Sequence, residues 1–192
     1  ILVDAVEMDI ELAGKVREFK DKGIPFDYLI NLAKKINSIS SYHVRQQLYG
    51  FLSHNGHPIT KDGNFIAYKK VSSDYKDLHT GTIDNSIGSI VEMDRSLVDD
   101  NPNNTCSSGL HVASYEYAQG FGNGRMLICE VDPSDVVSVP VDYDQMKMRS
   151  CRYKVVGETQ ESIEKIRFGG DDPFLIEEGD VIEKDFERFE VE

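Results

Sequence analysis

The densest run of chemically capable side chains is Cys106-Ser-Ser-Gly109-Leu-His111-Val-Ala-Ser114-Tyr115. It reads as a loop feeding a short strand, so His111 and Leu110 face opposite sides of that strand. With a reference pKa of about 6.5, His111 could shuttle a proton or donate to a ligand. The plain alternative is a histidine hydrogen-bonded inside a sheet. Cys106 and His111 lie five residues apart across Gly109. That pair alone lacks the second pair a zinc site needs, so no metal is expected. His54 and His57 bracket Asn55-Gly56 after a helix end, where an imidazolium favours the dipole, and a capping role fits them better than a ligand role. Glu130, on an apolar strand, is a candidate buried acid without a visible partner.

A ligand cleft, if the chain has one, would be lined by Tyr68, Lys69, His111, Ser114 and Arg152, with Lys69 and Arg152 gripping phosphates. NAD or another nucleotide is the ligand class such a cleft would suit, and otherwise no cofactor is expected. The chain has no GxSxG elbow, P-loop, HExxH or dinucleotide fingerprint. Gly120-Phe-Gly122-Asn-Gly124 lacks the strand, loop and helix spacing that cradles a phosphate.

The elements that must hold these residues follow from periodicity. Leu12, Val16 and Phe19 place one apolar stripe on a helix running from Val6 to Lys22 and ending at Gly23. A second helix begins at Pro25, carries Leu29, Leu32, Ala33 and Ile36 on one face, and ends on Lys34 and Lys35. Ser40 or Ser41 caps a third, with Val44, Leu48, Phe51 and Leu52 inward and a stop near Asn55-Gly56. After Pro58 the pattern turns to β: Phe65 to Val71, short strands within 78–94 with Ile83, Ile87, Ile90, Val91 and Met93 as buried candidates, then Gly109 to Val112, Met126 to Val131, Val136 to Val139, and Arg152 to Val156. Ser114 caps a brief helix through Tyr117, and residues 99–108 form a long polar loop. Tyr115, Tyr117, Tyr143 and Phe121 read as core rather than as a stacking platform. The expectation is an α+β fold: a helical arm over 1–56, a mixed or antiparallel split-sheet body over 57–160, and an acidic tail over 161–192. In the tail, Ile182, Phe186 and Phe189 outline an amphipathic helix able to dock on a partner.

Composition bounds the function. The 192 residues are 40% apolar and 29% charged, as in ordinary globular proteins. Twenty-one basic residues against 34 acidic ones give a net charge of −13, of which the tail supplies −8, so nucleic acid is not an expected partner. Three cysteines outside any CxxC spacing suit a reducing compartment, and no stretch is long and apolar enough for a membrane span. Membrane association would be peripheral, through a partner. The chain opens on Ile, which points to a processed product or a fragment, and a virion component made by proteolytic maturation is a further option.

The strings Leu48-Tyr-Gly-Phe-Leu-Ser-His-Asn-Gly-His-Pro-Ile-Thr-Lys-Asp-Gly-Asn-Phe-Ile-Ala-Tyr-Lys-Lys70, Thr80 to Met93, Val98 to Asn101, Thr105 to His111 and Cys151 to Glu158 resemble the rIIB-like proteins of tailed bacteriophages. The resemblance spans residues 41–158. It implies a phage product acting in the cytoplasm of the infected bacterium through contacts with phage or host proteins, in a family associated with overcoming exclusion by resident prophages. A fainter likeness is to ADP-ribosyltransferases, carried by Gly109-Leu-His-Val-Ala-Ser114, Tyr117 and Met126-Leu-Ile-Cys-Glu-Val131 in that order. It implies a similar split sheet. Tyr68-Lys69 stands where those enzymes carry His-Gly or Arg-Gly, His111 replaces a Tyr, and no Glu opens the strand near Cys151-Arg152. The likeness therefore implies a degenerate site, and an enzyme is the less expected reading.

Overall fold

The computed structural model describes residues 1–159, apart from 143 and 145, together with 175 and 176. The proposed tail helix at Ile182, Phe186 and Phe189 and the position of Tyr143 lie outside the described residues.

The chain starts as a small antiparallel hairpin, β1 (Leu2–Val3) and β2 (Val6–Glu7). Asp4 and Ala5 turn it with φ of 49° and 64°. Two left-handed residues in a two-residue turn match the twist of paired strands, but Ala is a rare choice there, so the turn leaves no mark in the sequence. The first helix consequently starts later than its apolar stripe suggests. It spans α1 (Ile10–Lys22), with Asp9 accepting from the Leu12 amide and Gly23 closing it at φ 69°. Helix α2 (Asp27–Asn37) buries Leu29, Leu32, Ala33 and Ile36, the face its periodicity specifies. Helix α3 (Tyr42–Asn55) is capped by Ser41 and ends at Gly56 with φ 63°.

The rest builds a nine-stranded sheet. Its strands are β3 (Ile59–Thr60), β4 (Phe65–Val71), β5 (Ile90–Glu92), β6 (Leu110–Ala113), β7 (Arg125–Val131), β8 (Val136–Ser138), β9 (Lys147–Ser150), β10 (Arg152–Glu158) and β11 (Leu175–Ile176). Along the main path the order is β5-β10-β7-β4-β6-β9-β8 and every pairing is antiparallel; β3 joins the side of β4, and β11 runs parallel to β3. The short helix α4 (Tyr115–Gln119) follows β6. The fold is α+β, with three helices preceding a split, predominantly antiparallel sheet.

The split is local. Strands β4 and β7 pair along seven residues, from Phe65↔Val131 to Val71↔Arg125, whereas β4 and β6 share only Tyr68↔Ala113. Alternation then assigns the faces. Phe65, Ala67, Leu127, Cys129, Val112, Met148, Tyr153 and Val155 join Val16, Phe19, Leu29, Ile36, Leu48 and Phe51 of the helices in one apolar core. On the opposite face Ile66, Tyr68, Ala113, Met126 and Ile128 pack with Ala118 of α4.

Between 72 and 89 the chain makes a loop rather than the expected strands. Val91 is buried, Ile83 and Met93 are partly so, and Ile87 and Ile90 are exposed. Asp77 organises this loop, accepting from the amides of Thr80 (2.6 Å), Ile83 (2.9 Å) and Thr82 (3.1 Å) and from the Thr80 hydroxyl. An acid in the middle of an isoleucine-rich segment thus wins over strand propensity by satisfying three backbone donors at once.

Candidate functional site around His111

Beyond Tyr68↔Ala113 strands β4 and β6 part, and Lys69 bridges the opening: its Nζ donates to the His111 carbonyl at 2.9 Å. The Lys69 ammonium also lies 5.9 Å from the Tyr153 ring centroid. Burial pushes its pKa down, against the opposing influence of Cys129 and Asp77. The Tyr153 hydroxyl donates in turn to Asn85 Oδ1, and burial drives its pKa far up. Burial likewise pushes the Cys129 thiol up to about 12, so it is protonated at neutral pH.

Opposite His111 on the neighbouring strand stands Arg149, and Lys147 pairs with Ala113 two positions along. Alternation puts His111, Arg149 and Lys147 on one face. Arg149 is fully buried. Its Nε donates to the Asp99 carbonyl (2.8 Å), Nη1 to that of Asn104 (2.6 Å), and Nη2 to that of Asn101 (2.7 Å) and to Ser138 Oγ (3.1 Å). Lys147 donates to the Thr105 carbonyl at 2.7 Å and pairs with Asp142 at 3.2 Å. The long polar loop is therefore wrapped around two inward-pointing cations, and Gly109, at φ 149°, lets the chain pass within contact of Arg149 and Val98. Within this cluster the His111 ring has no hydrogen-bond partner among the described residues. Burial, then the charges of Lys69, Arg149, Lys147 and His79, lower its pKa to about 4.

The five residues expected to line a cleft are thus divided. Lys69 reaches the main-chain carbonyl of His111, but alternation sets the Lys69 side chain on the core face with Ala67 and the His111 ring on the opposite face with Ala113. Tyr68 is buried on the α4 face, edge-on to Tyr115 at 5.4 Å, and Ser114 caps α4 by accepting from the Tyr117 amide at 3.3 Å. Arg152 is exposed and pairs with Glu92 on β5. On β10 the level of Lys69 corresponds, through Leu127, to Glu158, six positions from Arg152. At about 3.3 Å per residue that separation is roughly 20 Å. The structure therefore replaces Arg152 with Arg149 and Lys147 as the cations beside His111. The Lys147–Ser150 strand carries them, and its charged, non-alternating look hid it from a reading by hydrophobic pattern.

His57 is not the charged cap its spacing suggests. It is buried, stacks on Phe51 at 4.2 Å, and its Nδ1–H donates to the Ile66 carbonyl at 2.7 Å; burial lowers its pKa to about 4, so it is neutral. Glu130 finds a partner in Asn64, whose Nδ2 donates at 2.8 Å. Among the described residues no three His, Cys, Asp or Glu side chains converge as metal ligands, and no helix is long and apolar enough to cross a membrane.

The fold is a split, predominantly antiparallel sheet under helical cover, and comparison with known sequences places it in a family. The family model described as "Bacteriophage T4 protein rIIB" matches residues 12–167. Protein rIIB of Enterobacteria phage T4 is 39% identical over 158 residues, covering 81% of this chain and 51% of that protein. The chain belongs to the rIIB family, and it spans about half the length of the curated relative it matches. No solved structure matches it.

Proposed function

We propose that the protein is a phage accessory factor that works by binding phage or host proteins in the cytoplasm of the infected bacterium, and so counters exclusion of the phage by the host or a resident prophage. Membership of the rIIB family supports the setting. The observation that carries the contact reading is a groove between the β1–β2 hairpin and the starts of α1 and α3, lined by Met8, Ile10, Tyr42, Arg45 and Tyr49. Ile10 is 71% exposed and Tyr42 65% exposed. Large apolar side chains held in water beside a concave surface are the mark of a contact site. Glu7 and Asp9 also line the groove, and the chain carries a net charge of −13. With Arg45 beside Glu7 and Asp9, the groove suits a partner segment that sets an apolar anchor between Ile10 and Tyr42 and meets both signs of charge at its rim.

The test is genetic and structural together. Ile10→Ala with Tyr42→Ala, introduced into the phage genome, is expected to leave the melting temperature of the purified protein unchanged and plating on a prophage-free host normal, while plating on the excluding lysogen falls. Equal plating of mutant and parent on the lysogen overturns the reading.

A further inference from the structure

We infer that β5, the free edge of the sheet, pairs antiparallel with β5 of a second copy of this chain, Ile90 of each copy opposite Glu92 of the other, so that one sheet runs through a two-fold dimer.

The ladder decides which way the backbone of β5 points. Register sets Arg152 opposite Glu92, Tyr153 opposite Val91 and Lys154 opposite Ile90. The Val155 amide donates to the Ser89 carbonyl, and the Met93 amide donates to that of Cys151. Antiparallel pairs alternate between residues that exchange hydrogen bonds and residues that do not, so the odd-numbered residues of β5 face β10 and the N–H and C=O groups of Ile90 and Glu92 face outward. Strand β5 stands at the end of the sheet, and among the described residues nothing bonds those four groups. The edge also lacks the usual defences: Gly88 to Met93 holds neither Lys nor Pro, and its one charge, Glu92, stands across from Arg152. Ile90 is 52% exposed, and Ile87 beside it 42%.

Of the two-fold registers near the middle of the strand, one fits. With Ile90 opposite Glu92 of the other copy, all four outward groups of each copy are bonded and Val91 meets Val91 at the axis. An axis at Ile90 brings Gly88 opposite Glu92, but the Gly88 N–H already donates to the Val155 carbonyl, so the Glu92 carbonyl is left without a donor. An axis at Glu92 sets the two Glu92 carboxylates against each other, which repel. The favoured register places each Glu92 between Arg152 of its own copy and Ile90 of the other, with that copy's Lys154 one strand further, about 10 Å away and able to reach over Ile90. An anion with a cation on either side, repeated by the symmetry, makes a second copy the occupant this edge suits. A three-residue strand buries little area, so the dimer is weak and reversible. No β5 residue lines the groove of Ile10 and Tyr42, so this pairing stands apart from the contact reading.

Sedimentation equilibrium of the full chain tests it, at about 0.5 M salt so that repulsion between two chains of net charge −13 is screened. A reversible monomer–dimer equilibrium is expected. Ile90→Pro removes only an outward N–H, keeps the ladder to β10, and is expected to weaken association at least about tenfold at an unchanged melting temperature. Cysteines read the register: with Cys106→Ser in both proteins, an oxidised mixture of Ile90→Cys and Glu92→Cys is expected to give the mixed disulfide dimer in excess over either homodimer. Should Ile90→Pro fail to fold, that mixture decides. A monomer at every concentration up to about 1 mM, full association in the folded Ile90→Pro protein, or homodimers matching the mixed dimer overturns the proposal.

Discussion

His111 and Arg149 stand directly opposite each other on β6 and β9, one a half-buried imidazole without a hydrogen-bond partner among the described residues, the other a fully buried guanidinium spending four hydrogen bonds on a loop 45 to 50 residues away in sequence or on Ser138. A planar fork of donors suits three carbonyls converging from one loop, which a lysine could not satisfy together.

Arg149→Lys is therefore expected to cost at least about 3 kcal/mol, since it strands buried carbonyls at about 1 kcal/mol or more each. Urea unfolding measures the loss, and limited proteolysis should show new cleavage between Asn101 and Thr105. Wild-type stability in this variant would remove the role of Arg149 as the loop's anchor.

Stability should fall with acid through His57. Its pKa is about 4 when folded against 6.5 for an ordinary histidine. Between those values the unfolded chain binds the extra proton, so lowering pH through that window removes stability, by up to roughly 3 kcal/mol below pH 4. His57→Phe keeps the stack on Phe51 and should flatten the profile of denaturation midpoint against pH over this range.

Asp77 carries a different signature. Burial alone would raise its pKa, but the amides of Thr80, Ile83 and Thr82 and the Thr80 hydroxyl outweigh it and hold the carboxyl below its ordinary range. A depressed carboxyl contributes stability above its unfolded pKa and loses it in acid. Asp77→Asn turns an acceptor-only group toward donors, so about 2 kcal/mol should be lost at neutral pH. Amide exchange at Thr80, Thr82 and Ile83 should rise ahead of the rest of the chain.

Two glycine substitutions should move stability in opposite directions. Gly63 has φ 81°, and a Cβ there would sit 2.5 Å from the Leu32 nitrogen, in the backbone of α2. Gly63→Ala must push α2 off the sheet turn and should cost more than about 2 kcal/mol. Gly14 lies inside α1 with open space around it. Gly14→Ala should gain about 0.5–1 kcal/mol, read from the same thermal melts.

Local pattern carried much of the fold. The apolar stripes of the three helices, the Ser41 and Ser114 caps, the stops at Gly23 and Gly56 and the buried Met126-Leu-Ile-Cys-Glu-Val131 strand are all short-range signals, each complete within a dozen residues. The strings shared with rIIB-like proteins likewise lie in the primary sequence and place the chain in its family. Strand neighbours are another matter. Alternation says that Lys147 and Arg149 share a face, but nothing local says that β9 lies beside β6, or that β4 and β6 separate after one residue pair so that Lys69 can reach the His111 carbonyl. Those contacts join residues 38 and 42 positions apart, and their register depends on packing of the whole sheet against its helices. The same holds for His57, whose neutrality follows from Phe51 and Ile66 closing over it, and for Arg152, which a reading of charge alone places at a ligand and the sheet places at the far end of β10.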